Sequence, residues 1–227
     1  GNALSGVFDL KMRKGNTQNR ESSFMIGALG LEVGTEGPFG KKSNGSYLIN
    51  YRYSTLGFLN KVGLSPTGDL LPAYQDVSYN FYFPTKSFGK FNVFGVAGHN
   101  VAEMFDGINP SDTTEETRDE YDGFSEVGFT NTSGIKHVYN VKNKGYIKTI
   151  VSHSYNAFTQ YDESLQIDTN TNQVFQYQED EIKNIESQLR LSTMFNYKVN
   201  RRHTVRVGGV VSRIDYNFLS KFNDFET

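Results

Sequence analysis

The chain contains no cysteine and no tryptophan. Without thiols there are no disulfides, no Cys-ligated zinc and no thiol nucleophile. Long apolar runs are also missing. The longest uncharged one, from Phe24 to Leu31, falls far short of the ~20 residues a membrane helix requires. Charge of either sign is in little surplus: 23 Lys and Arg face 25 Asp and Glu, for a formal charge of −2. That balance gives no domain-sized basic stripe of the kind nucleic acid needs, so nucleic acid is not an expected partner. With no initiator Met and no apolar leader before it, Gly1 is expected to follow an N-terminus removed by processing or by the choice of boundaries.

What is present is aromatic. The 227 residues include 18 Phe and 14 Tyr, too many for a disordered chain. They fall in short alternating runs. In "YLINYRYS", Tyr47, Ile49, Tyr51 and Tyr53 lie on one side and Asn50, Arg52 and Ser54 on the other, the period-two pattern of a strand with one apolar face. Ile185, Leu189, Leu191, Phe195 and Tyr197 likewise oppose Glu186, Gln188, Arg190 and Asn196. Ile182, Ile185 and Leu189 also fit a helical stripe, but the alternation runs further than the stripe does. Val205, Val207 and Val211 oppose Arg206 and Ser212 in the same way. Glycines in "GVAGHN" and at Gly208 and Gly209 mark bends or close approaches in a sheet.

The connections carry a second signal. Four are short and basic, at residues 40–43, 85–90, 142–145 and 198–202, and none of them holds an acidic residue. Between them fall long polar stretches at 57–75, 101–123 and 162–183, the last two rich in Asp and Glu. In an antiparallel meander, alternate connections lie at opposite ends of the sheet. The chain is therefore expected to be all-β, with tight basic turns at one end and long acidic loops at the other. That is the layout of an outer-membrane barrel, which crosses with strands of about ten residues. A soluble or surface-attached all-β module that binds a ligand, adhesin-like or glycan-binding, shares the alternation and is the alternative. With no Trp available, Tyr and Phe would supply any aromatic girdle.

The run Gly6–Lys11, the stretch Glu36–Phe39 and the triplet Tyr51, Arg52, Tyr53 resemble the plug-to-barrel junction of TonB-dependent outer-membrane receptors, especially the Bacteroidetes-type branch. The resemblance covers residues 1 to about 100 most specifically and is architectural beyond. It implies that residues 1–20 end the plug and 21–227 begin the barrel, with a tight hairpin within 23–39. About nine barrel strands and the last plug strand are then expected, part of a barrel of larger size. An intact receptor of this kind binds a scarce or bulky nutrient and imports it across the outer membrane. Its partners are outer-membrane lipid, the rest of barrel and plug, and TonB through the plug region that this chain would lack. No enzymatic activity, cofactor or metal is implied, and no catalytic or binding residue is assigned.

Chemical motifs are weak. Gly40, Lys41 and Ser43 imitate a phosphate loop, but Thr35 and Lys42 stand where Gly and Ser or Thr are needed. His99, His137, His153 and His203 show no metal-ligand spacing and read as strand residues on the polar face, although His137 and His153 approach across the 142–145 turn. "DTTEETRDEYDG" supplies carboxylates for Ca²⁺ without the spacing of a known loop, and nothing fixes the separation of Glu115 and Glu116. Ser5 has no local partner for a nucleophile. Phe58, Tyr74, Phe105, Tyr121 and Phe124, in the long connections, suit either stacking on a ligand or anchoring of loops to the sheet rim.

Overall fold

The computed structural model describes residues 12–27, 30–40, 44–56, 70–105, 121–142, 144–168 and 173–222. They form nine strands: β1 (Glu21–Gly27), β2 (Gly30–Pro38), β3 (Ser46–Ser54), β4 (Leu70–Pro84), β5 (Lys90–Phe105), β6 (Tyr121–Val141), β7 (Gly145–Asp168), β8 (Gln173–Lys198) and β9 (Thr204–Phe222). All nine make one antiparallel meander in sequence order. The expected hairpin within 23–39 is the β1–β2 pair, closing at Gly27 opposite Gly30. The helical alternative at Ile182–Leu189 is replaced by strand β8, because the alternation that continues to Tyr197 must keep one face throughout. The run Gly6–Lys11, expected as a plug strand, lies outside the described residues.

Register divides the side chains into two faces. The row Val33, Tyr51, Val77, Ala97, Asn131, Tyr155, Ser187 and Asp215 shares one face across β2 to β9. The next row, Glu32, Arg52, Asp76, Gly98, Thr130, Asn156, Glu186 and Tyr216, shares the other. On the first face no Lys, Arg, Asp or Glu occurs in β1 to β4, in β5 up to Val101, in β6, in β7 up to Tyr161, in β8 from Ile185 onward or in β9 up to Val211. We call this the apolar face and its opposite the polar face. Arg52, Arg190 and Arg206 all fall on the polar face, as the alternation predicts.

Among the described residues nothing is packed on the apolar face. Leu56 is the only buried hydrophobic side chain among the described residues, while Ile26, Ile135, Leu189 and Val207 are all half exposed or more. A single layer of this size therefore leaves a continuous hydrophobic surface, far beyond the few hundred Å² an ordinary soluble surface exposes. The polar groups on this face satisfy one another. Tyr79 donates to Ser133 at 3.2 Å, and Ser133 donates to Asn131 at 3.1 Å. His153 Nε2 meets the Ser187 hydroxyl at 3.0 Å, and Tyr51 donates to Gln75 at 2.9 Å. Gly95 makes room for the first chain, since a Cβ there would press on the Tyr79 ring and hydroxyl.

The basic connections are tight. At 84–90 the Thr85 amide donates to the Gly89 carbonyl at 2.8 Å, and the Phe88 amide donates to Thr85 Oγ1 at 3.0 Å. Gly89 has φ +85°, and a Cβ there would overlap the Val138 carbonyl. Gly89→Ala is expected to lower stability by more than about 1 kcal/mol, because left-handed backbone and steric overlap add. A denaturant midpoint in micelles that matched the parent would refute this. At 198–204 the Asn200 side chain accepts the amides of Arg202 and His203, both at 2.9 Å.

The opposite end differs from expectation. Residues 162–183 are mostly strand: β7 and β8 pair as far as Asp168 opposite Gln173, with one register shift between Asp162 and Glu163. β5 likewise extends to Phe105 and β6 starts at Tyr121. Alternation fades here because carboxylates stand at adjacent positions, as at Asp162 and Glu163, so pattern reading shortens the strands. The backbone ladder continues regardless. β8, at 26 residues, would measure about 85 Å fully extended. On β9 the alternation inverts beyond Val211: Arg213 and Asp215 pair at 3.0 Å on the face of the apolar band, while Ile214, Tyr216 and Phe218 occupy the polar face.

Candidate functional site

Two features carry the chemistry: a ring cluster on the apolar face and a strap on the polar face. The rings gather at the basic-turn end. Phe39 stacks on Phe83 with centroids 4.8 Å apart and touches Tyr47 and Phe81 at 6.0 and 6.2 Å. Phe91 stacks on His137 at 4.3 Å, His137 adjoins Tyr139 at 6.5 Å, and Phe195 stacks on Tyr197 at 5.8 Å. Such pairs contribute about 0.5–1.5 kcal/mol each beyond their area. Together they mark one end of the sheet. Phe and Tyr supply this band, as the absence of Trp requires.

His137 belongs to the band. Its Nε2–H donates to the Phe88 carbonyl at 2.6 Å, which ties β6 to the preceding turn. His99, His137 and His153 all lie on the apolar face, correcting the expectation of the polar one. For His137 and His153, ring stacking or a hydroxyl partner meets the imidazole's needs without water. His137 registers with Thr149, so His153 sits four residues further along β7 and the two histidines do not meet.

Residues 12–20 form the strap. They have no regular structure and lie on the polar face of β2 to β4. The Arg13 guanidinium grips both carboxylate oxygens of Glu36, at 2.6 and 2.5 Å, and the Asn16 amide donates to the same carboxylate at 2.7 Å. Glu36 therefore accepts three bonds from one short segment. The fork geometry of Arg suits this bidentate grip, and the pairing holds Arg13 more firmly protonated than usual. Asn80 donates to the Arg13 carbonyl at 2.8 Å, and Asn92 donates to Asn80 Oδ1 at 3.0 Å. Both Asn side chains are buried. Gly15 has no room for a side chain, because a Cβ would run into the Tyr47 carbonyl. Lys14 lies 5.4 Å from the centroid of the Tyr82 ring.

Beside the strap is a cavity of about 240 Å³, lined among others by Arg13, Glu21, Ser23, Gly34, Glu36 and Asn50. Further along the same face Asn50 donates to Glu32 at 2.7 Å, Arg52 pairs with Asp76 at 2.8 Å, and Arg52 stacks over Tyr74 at 5.1 Å. Tyr74, read as a loop residue, is thus a residue of β4. Phe124 stands in β6, while Phe58, Ser5, Lys41, Lys42, Ser43, Glu115 and Glu116 lie outside the described residues, and of the Phe105 and Tyr121 side chains nothing is described. Sequence reasoning set residues 1–20 apart from the strands that follow but missed the Arg13–Glu36 grip. Gly15, two residues from an Arg and ahead of a polar cluster, is the local signal for close backbone approach.

No family model, curated protein or solved structure matches the chain.

Proposed function

We propose that this chain is a stretch of barrel wall, with the end of its plug, from a TonB-dependent outer-membrane receptor that in intact form imports a scarce or bulky nutrient. The observation that carries the reading is the charge-free band that crosses one face of all nine strands, flanked on that face by Arg213 and Asp215 on β9 and backed by charged residues on the opposite face. Lipid is the environment in which a single apolar layer needs no second sheet. In support, the aromatic band lies at the end with short basic turns, and β4 to β9, at 15 to 26 residues, run well beyond the ~10 residues that crossing takes. The resemblance of residues 1 to about 100 to the plug-to-barrel junction adds the family, and the strap is then the plug's last contact with the wall. The polar face lines the lumen. The long β7–β8 hairpin and the far ends of β5 and β6 stand above the outer surface, where nutrient is captured before the plug is displaced. No bond-making step is needed in such a cycle.

The test is insertion. Added to vesicles of outer-membrane lipid, the chain is expected to shift in gel mobility on heating and to protect its 84–90 and 198–204 turns from external protease while the far hairpins are cut. A chain that stays monodisperse in detergent-free buffer and ignores the vesicles would overturn the reading.

A further inference from the structure

The polar face changes sign across its width. Over β2 to β4 the wall presents the carboxylate of Glu36, and the strap that covers it presents Arg13. Over β5 to β9, toward the turn end, the wall presents Lys90, Lys136, Lys148, Arg190 and Arg206. No Asp or Glu of β5 to β9 shares this part of the face; the first are Glu186, two residues further along the face from Gln188, and Glu126. Among the described residues none of the five cations has an ion-pair partner. Lys136 and Lys148 are half-buried, on neighbouring strands, with like charge.

This patch is continuous with the strap's footing. Asn80 holds the Arg13 carbonyl, Asn92 holds Asn80, and Asn92 is the register partner of Lys136. The same layer of polypeptide that covers β2 to β4 would therefore meet Lys136 on leaving the strap. Unpaired cations gathered on one wall repel one another, and a partner of opposite sign both relieves that and fixes register.

We propose that the β5–β9 part of the polar face is a docking surface for a carboxylate-bearing polypeptide segment, lying in the same layer as the strap. This rests on the barrel reading above and names the chemistry of the plug surface that the wall accepts: basic where it meets β2 to β4, acidic where it meets β5 to β9. The occupant is peptide rather than a small anion because the adjoining half of the face is already covered by peptide backbone through side-chain amides and an ion pair.

The full chain in detergent micelles gives the test. A fluorescent decapeptide alternating Glu and Gly is titrated by anisotropy against its Gln counterpart and against inorganic phosphate. The Glu peptide is expected to bind, the Gln peptide not, and raising salt from low to moderate strength should weaken binding about tenfold. The double variant K136E/K148E should weaken it about tenfold or more, with the neutral K136Q/K148Q pair intermediate and R201E in the turn without effect. Acetylation footprinting should show Lys136 and Lys148 protected by the peptide. Equal binding of the Gln peptide, indifference to both double variants, or full displacement by millimolar phosphate would overturn the proposal. Heat-shift and vesicle insertion are read on the same samples: insertion without peptide binding sinks this inference alone, whereas no insertion sinks the barrel reading beneath it.

Discussion

Val151→Arg is expected to abolish stable insertion of the sheet into lipid vesicles. Val151 is opposite Ile135 on β6 and Leu191 on β8, at the middle of the charge-free face. A cation at that depth costs about 2–4 kcal/mol. The marginal stability of a domain leaves little room for such a loss. Ser152→Arg, one residue along, points the same charge at the polar face beside Arg190, and should change stability by about 0.5 kcal/mol or less. The pair separates the two environments with one unit of chain. Comparable insertion of both variants, measured by heat-shift on gels and by protease protection, would show that the apolar face does not meet lipid.

The second large effect is expected at Gly15. Removing the Arg13–Glu36 pair alone should matter little, because Arg13 is 66% exposed and exposed ion pairs contribute about 0–1 kcal/mol. Gly15→Val acts differently. Its side chain has to occupy the space of the Tyr47 backbone, and backbone held in a nine-stranded ladder does not yield. The strap must lift, and with it go the Asn16–Glu36 and Asn80–Arg13 bonds. Trypsin cleavage after Arg13, Lys14 and Arg20 should accelerate about tenfold or more, the signature of a local opening, while the sheet's heat-shift stays unchanged. Arg13→Ala should give only a small acceleration. If Gly15→Val were cut no faster than the parent, the strap would not be seated as described.

The fold was readable from the sequence where one face is dry. Alternation in Tyr47–Tyr53 or Leu189–Tyr197 exists because apolar side chains must share a side, and the turns between such runs announce themselves through Gly, Lys and Asn. Where carboxylates stand at adjacent positions the signal disappears, so residues 162–183 read as a loop although they are paired strand to Asp168 and Gln173. The strap itself was not legible, beyond the separation of residues 1–20 from those that follow. Arg13 and Glu36 are 23 residues apart, and which acid a given Arg meets depends on how a structureless segment crosses the sheet. The histidines misled for a related reason: a polar name suggested the polar face, whereas an imidazole stacked on Phe91 or bonded to Ser187 sits on the other.

On the barrel reading proposed above, the inversion along β9 would bear on membrane choice. The interval from Val205 to Arg213 is eight residues, and on a strand tilted by about 40° it would rise about 20 Å. The Arg213–Asp215 pair would then sit where hydrocarbon gives way to headgroups. That would make this strand a gauge of bilayer thickness, matched to a membrane thinner than average, as the bacterial outer membrane is. In a thicker bilayer the ion pair would be dragged into oil, so the strand itself would select the leaflet spacing in which such a barrel comes to rest.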